Sequence, residues 1–193
     1  MNAWGIKKKN YKNITDKIIM LHNGKAKLVD TFDELIIEIP TKKNWFILIW
    51  IPIWLCLWFM GITGTIAGFG VDAFSTIWMI GWTIGGLSAI FFLIWGLLGK
   101  EIILIDYEYL TIERSILGVG LKRRLEIAEI QNIRYEFVDT NLSFERSNGI
   151  YTIGMGIGPI RIDYGLKTYS FGLAVDEAEA KYLIELIKKK TKK

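Results

Sequence analysis

The run from Asn44 to Gly99, NWFILIWIPIWLCLWFMGITGTIAGFGVDAFSTIWMIGWTIGGLSAIFFLIWGLLG, carries one charge, Asp72, in 56 residues and holds seven of the chain's eight tryptophans. A bilayer core of about 30 Å is crossed by about 20 apolar residues in a helix. The run therefore predicts two spans, over residues 44–67 and 74–99, joined by an outer turn at 68–73. Everything else in the chain is arranged around this hairpin.

Lys and Arg beside a span are retained on the cytoplasmic side. Lys42 and Lys43 precede the first span and Lys100 follows the second, whereas the connecting turn has Asp72 and no basic residue. This predicts an integral membrane protein with both termini in the cytoplasm. Lys7, Lys8 and Lys9 are followed by no apolar run, so a cleavable secretory signal is not expected.

Trp45, Trp78 and Trp95 stand near the predicted boundaries and suit interfacial belts, while Trp50, Trp54 and Trp58 recur on one helix face. Gly81, Gly85 and Ala89 fall at four-residue intervals, and Gly64 with Gly68 repeats the spacing. Small residues let helix backbones approach closely. A hairpin with so short a turn makes its helices antiparallel neighbours, so these residues are expected to pack within the chain, with homo-oligomerisation as the alternative. Pro52 predicts a kink in the first span rather than a break.

Outside the hairpin, residues 1–32 form a basic N-terminal segment and residues 33–43 a juxtamembrane strand. Nine Lys face five acids before Asn44, and fifteen basic face fourteen acidic residues from Lys100 onward. The basic excess is thus N-terminal and juxtamembrane. That placement suits anionic lipid headgroups better than nucleic acid, which needs a basic face on the folded domain.

Cys56 is the one cysteine and His22 the one histidine. An intramolecular disulfide is impossible, and a Cys/His zinc site needs more such ligands. Ser-His or Cys-His catalysis would have to draw on His22 or Cys56, which the predicted topology separates. Glu126 with Glu129, and Asp176 with Glu177 and Glu179, read as strand ends and a helix cap rather than acid/base pairs. No enzyme activity, metal or cofactor is expected. Apart from Asp72, no ionisable residue lies at membrane depth, which argues against a transporter or channel.

After Lys100 the period changes to that of short strands: Glu101 to Asp106, Tyr109 to Arg114 and Leu121 to Ile127, with Gly118 and Gly120 at a hairpin. Ile130, Ile133, Tyr135 and Phe137 supply another strand, and Ile160 to Tyr164 and Thr168 to Phe171 a last pair around Gly165, in an antiparallel meander. A helix over 176–189 follows, capped by Asp176 with Glu179 completing a capping box. Ala180, Leu183, Ile184 and Ile187 form its apolar face, and a Lys-rich tail closes the chain. The fold class is α+β, a two-helix transmembrane hairpin plus a cytoplasmic antiparallel sheet domain, residues 100–193, with one C-terminal amphipathic helix. Asp33 to Ile39 alternates as a strand running toward the membrane and Glu101 to Asp106 leaves it, so the hairpin should bring the two into antiparallel pairing.

Residues 106–118, DYEYLTIERSILG, and 121–134, LKRRLEIAEIQNIR, resemble the bacterial pleckstrin-homology-like (bPH) domain family. The whole layout, with Asp163-Tyr-Gly-Leu-Lys-Thr168 and Asp176-Glu-Ala-Glu-Ala180 near its end, resembles small bacterial membrane proteins that place two transmembrane helices before such a domain. The resemblance implies a PH-like sheet or barrel closed by one helix. It also directs attention to basic residues near the first hairpin: Arg114, Lys122, Arg123 and Arg124 are the candidates for a headgroup or partner contact. Of these, Lys122 and Arg124 share a strand face.

The run Gly154-Met-Gly-Ile-Gly-Pro159 lacks both the spacing of a dinucleotide loop and the Lys-Ser or Lys-Thr of a phosphate loop. Its alternating glycines suit a close backbone approach, and Met155 and Ile157, if exposed, would mark a lipid or partner contact. Two functions remain. The first is a non-enzymatic, membrane-anchored PH-like interaction or scaffold module that contacts anionic headgroups or a protein partner. The second is an accessory or regulatory subunit of a membrane transport or envelope-maintenance complex.

Overall fold

The computed structural model describes residues 18–20, 24–31, 33–68, 72–137 and 156–192. In order they form β1 (Ile18–Met20), β2 (Lys27–Asp30), β3 (Leu35–Pro40), α1 (Trp45–Gly68), α2 (Ala73–Leu98), β4 (Gly99–Ile105), β5 (Tyr109–Ile116), β6 (Val119–Glu126), a 3-10 turn (Ile127–Glu129), β7 (Ile130–Tyr135), β8 (Ile160–Tyr164), β9 (Lys167–Phe171) and α3 (Glu177–Thr191). The architecture is α+β, with two long apolar helices followed by antiparallel sheets and a C-terminal helix.

α1 and α2 are long and apolar enough to cross a membrane. α1 is hydrophobic around its whole circumference, not along one stripe, and leaves Trp45, Phe46, Trp50 and Phe59 exposed. Such a helix has no face suited to water. Pro52 lies inside α1, which continues past it. Asp72 caps α2: its carboxylate accepts from the Ser75 amide at 2.7 Å while the Asp72 amide donates to the Ser75 hydroxyl at 3.1 Å. The Ser75 hydroxyl, followed by the Ser75 amide, holds the Asp72 carboxyl below its ordinary value.

The two helices meet through a set of small residues different from the one expected. The Trp82 ring lies over Gly61, the Trp58 ring sits against Gly86, and Leu48 lies against Gly96. Among the described residues, Gly64, Gly81 and Gly85 have nothing beyond their own helices within reach of an added methyl group. The tryptophans decide this: each indole needs a bare backbone opposite it, and Gly61 and Gly86 supply that, turning the Gly81 and Gly85 face away. Gly68 closes α1. Ala89, half-buried, lines a shallow groove with Gly85, Trp50 and Trp54.

β3 enters α1 through Thr41 to Asn44 alone, and α2 passes directly into β4 at Gly99. β3 and β4 pair antiparallel from Leu35 opposite Ile105 to Pro40 opposite Lys100, as their alternation led us to expect. Thr41 continues the ladder, its amide donating to the Gly99 carbonyl at 3.1 Å. The sheet is therefore joined to the hairpin by hydrogen-bonded backbone on both sides.

The strands form two sheets instead of one meander: β1-β2-β3-β4-β5-β6 and β7-β8-β9, antiparallel throughout. The 3-10 turn at Ile127–Glu129 ends the first sheet and starts the second. The N-terminal segment adds β2, whose Leu28 is buried in the core, along with β1. Strands of three and four residues among lysines carry too little alternation to be recognised. Between the sheets lie Ile37, Ile103, Leu110, Leu125, Ile160, Ile162 and Phe171. α3 closes this core with Ala180, Leu183, Ile184 and Ile187 and packs on β7.

The α3 cap is half of the box expected. The Asp176 carboxylate accepts from the Glu179 amide at 2.8 Å, but the Glu179 carboxylate accepts from the Ala26 amide at 2.7 Å. Tertiary packing offered that side chain a buried backbone donor, which outweighs an exposed one at the cap. Gly158 fits against the Phe171 carbonyl, where any Cβ would overlap it. Gly154 and Met155 lie outside the described residues, as does His22.

Candidate functional site

The β5–β6 hairpin carries the four basic candidates, and its register sorts them onto two faces. Ile116 stands opposite Val119, Arg114 opposite Leu121, Ile112 opposite Arg123 and Leu110 opposite Leu125. Leu110, Ile112 and Leu125 are core residues, so strand alternation puts Arg114, Arg123, Leu121, Val119 and Ile116 on that same inner face. Lys122 and Arg124 lie on the outer face with Glu113 and Thr111.

The outer pair is already engaged. Lys122 Nζ meets the Glu113 carboxylate at 3.1 Å, directly across the strand pair, and the Arg124 guanidinium lies 5.0 Å from the Tyr109 ring centroid. The Tyr109 hydroxyl is raised above its ordinary value, first by the negative charge of Glu108, with Arg124 acting the other way.

The inner pair is different, because the second sheet stops short of the hairpin end and leaves a cleft of about 440 Å³. Its walls are Ile112, Arg114, Leu121 and Arg123 on one side and Lys167 to Ser170 on the other. The Arg123 guanidinium stands 5.7 Å from the Tyr169 ring centroid, a stacking that orients the cation and leaves its edge open. Arg114 donates through Nε to Glu101 Oε1 at 2.8 Å and through Nη2 to the Ser170 carbonyl at 3.2 Å. Glu101, 7% exposed, uses its other oxygen to accept from the Gly172 amide at 2.7 Å. One carboxylate thus ties β4, β5 and the end of β9 together.

Arg114 is neutralised by Glu101, whereas Arg123 and Lys167 have no carboxylate within ion-pair reach among the described residues. The cleft is accordingly cationic, with an apolar wall and hydroxyl-bearing residues along β9. It can hold a small anion such as a phosphate ester, and among the described residues no His, Cys, Asp or Glu cluster suited to a metal ion is present.

The cleft lies close to the hairpin of helices. Gly99 pairs with Ile116, and Glu101 with Arg114, so Arg114 is two residues, about 7 Å along the strand, from the end of α2. Strand alternation alone groups Arg123 with Leu121 and Leu125; Lys167, Tyr169 and Ser170 carried no sequence signal, since only the fold of β8 and β9 brings them opposite β6. No protein-family model matches the chain, and no curated protein is significantly similar to it.

Proposed function

We propose that this protein is a non-enzymatic interaction module of the PH-like kind, anchored by α1 and α2 in the bacterial inner membrane with both termini cytoplasmic, whose cleft binds anionic lipid headgroups. The observation that carries this reading is the pair of uncompensated cations, Arg123 and Lys167, in a cleft whose floor begins about 7 Å from the end of an apolar helix. The headgroup layer is about 5 to 7 Å deep per leaflet. The short connection from β3 to α1, Thr41 to Asn44, and the direct passage of α2 into β4 support a domain held at that level.

The test uses the full chain with Cys56→Ser and a fluorophore on Thr168→Cys, in vesicles of phosphatidylcholine with and without phosphatidylglycerol. A headgroup-level quencher should act more strongly on the anionic vesicles, and salt should weaken the difference. Equal quenching on both vesicles at every salt concentration discards headgroup recognition.

One observation favours the second reading, a subunit of a larger membrane complex. Among the described residues nothing meets a side chain added at Gly64, Gly81 or Gly85, and Trp54, Phe74 and Trp78 form a groove beside Gly81 and Gly85. Gly81→Leu and Gly85→Leu disrupting co-purification of a membrane partner, with cleft substitutions silent, would establish it over the first.

A further inference from the structure

The β5–β6 turn, at the end of the cleft nearest α2, is apolar and almost fully exposed. Leu117, Val119 and Leu121 are 76%, 81% and 79% exposed. Leu166 is exposed too, but it stands alone between Gly165 and Lys167, and a single exposed leucine needs no explanation. Three neighbouring branched aliphatics at one hairpin tip do.

Their position identifies the occupant. Ile116, the last residue before the turn, is hydrogen-bonded opposite Gly99, the first residue after α2, and α2 packs against β5. The turn therefore lies beside the end of the apolar helix, not at the far end of the sheet. Tyr107, in the β4–β5 connection, marks that far end, about 23 Å away along β5.

The backbone adds a second, independent observation. Leu117 has φ 52° and Gly118 φ 86°. A two-residue hairpin turn with both φ values positive favours Asn, Asp or Gly at its first position. Here the chain holds a leucine in a conformation that costs a branched side chain, and that side chain is exposed.

We infer that the β5–β6 tip, Leu117, Val119 and Leu121, is a membrane-inserting device that enters the cytoplasmic leaflet beside α2. The inference rests on the reading above that α1 and α2 cross the bilayer. Inserted, the tip carries the inner face of β5 and β6 down with it, so that Arg114, level with Leu121, and Arg123, two residues farther from the tip, stand at headgroup level above Leu117 and Val119. Helical anchor, apolar tip and cationic cleft then hold the domain at three points and fix its orientation on the membrane.

The test uses the full chain in phosphatidylcholine/phosphatidylglycerol vesicles, in a Cys56→Ser background, with an environment-sensitive fluorophore on Leu117→Cys, Val119→Cys, Thr168→Cys or Tyr107→Cys in turn. Quenchers are carried either on the lipid headgroup or on the acyl chain near the carbonyl. Labels at Leu117 and Val119 should be quenched several-fold more strongly by the acyl-chain probe than the label at Tyr107. Leu117→Asn should abolish that quenching at Val119 while leaving the hairpin folded. Headgroup quenching at Thr168 without acyl-chain quenching at Leu117 or Val119 overturns the insertion and leaves the headgroup cleft standing, in which case the tip is a protein contact. No quenching at Thr168, Leu117 or Val119 overturns both.

Discussion

Trp58 and Trp82 exchange hydrogen bonds across the helical hairpin: the Trp58 indole N–H donates to the Trp82 carbonyl at 2.8 Å, and the Trp82 indole N–H donates to the Trp58 carbonyl at 3.3 Å. Each ring reaches the other backbone because a glycine, Gly86 or Gly61, lies beneath it. In an apolar surrounding an indole N–H has few other acceptors. Trp58→Phe should weaken helix association by about 0.6 to 1.7 kcal/mol. Gly86→Leu, which drives a side chain into the Trp58 ring, should cost about 2 kcal/mol. Gly81→Leu and Gly85→Leu should leave the hairpin unchanged. Unfolding in mixed detergent, followed by tryptophan emission, distinguishes the two pairs of variants.

Glu101 is a buried carboxylate with one donor on β5, Arg114, and another just after β9, Gly172. Replacing it with alanine strands the Arg114 guanidinium and the Gly172 amide together, for a loss of about 3 kcal/mol. Glu101→Gln keeps an acceptor for Gly172 and should cost less. Thermal unfolding of the two variants, read by near-ultraviolet circular dichroism, gives the order; equal losses would show that the Gly172 bond contributes nothing.

Glu179 holds Ala26, the residue just before β2, to the start of α3. Glu179→Ala removes the acceptor from a buried amide, an expected cost of about 1 to 3 kcal/mol. The effect should be local, because β2 sits toward the outer side of the six-stranded sheet. Hydrogen exchange at Ala26 and Leu28 should accelerate while exchange in β4 and β5 stays unchanged.

Arg123→Glu and Lys167→Glu should each weaken the domain's attraction to anionic vesicles by about 1 kcal/mol or more at low salt. Lys122→Glu and Arg124→Glu, on the outer face, should do much less. The comparison within one strand separates a directed cleft from a general surface charge, and loss of the same size on both faces would mean that the cleft has no special part.

Leu117→Asn relieves the left-handed backbone at the turn. The isolated energetics of that conformation predict a gain of about 1 kcal/mol in folding stability. A variant that melts higher yet inserts less would be the signature of a residue retained for contact rather than for folding. Guanidinium unfolding in detergent measures the first quantity and acyl-chain quenching the second.

The amino-acid sequence by itself determined the two long apolar helices, the strand character on either side of them, the pairing of β3 with β4, and the amphipathic α3. Each of these is a local or periodic property: a run with one charge in 56 residues is long and apolar enough for two helices, and Ala180, Leu183, Ile184 and Ile187 repeat at helical spacing. What only the tertiary structure decided is which of several equivalent residues meet. Gly61 and Gly86, and not Gly81 and Gly85, face a tryptophan because indole size and the rotation of α1 against α2 set the contact, and neither is written in spacing. Glu179 left the expected cap for Ala26 because folding brought to it a buried amide 153 residues away in sequence. Arg123 and Lys167 came to share a cleft because the chain breaks into two sheets at Ile127–Glu129. Periodicity tells which face a side chain takes; only packing, a sum of non-local volumes and hydrogen bonds, chooses what stands opposite it.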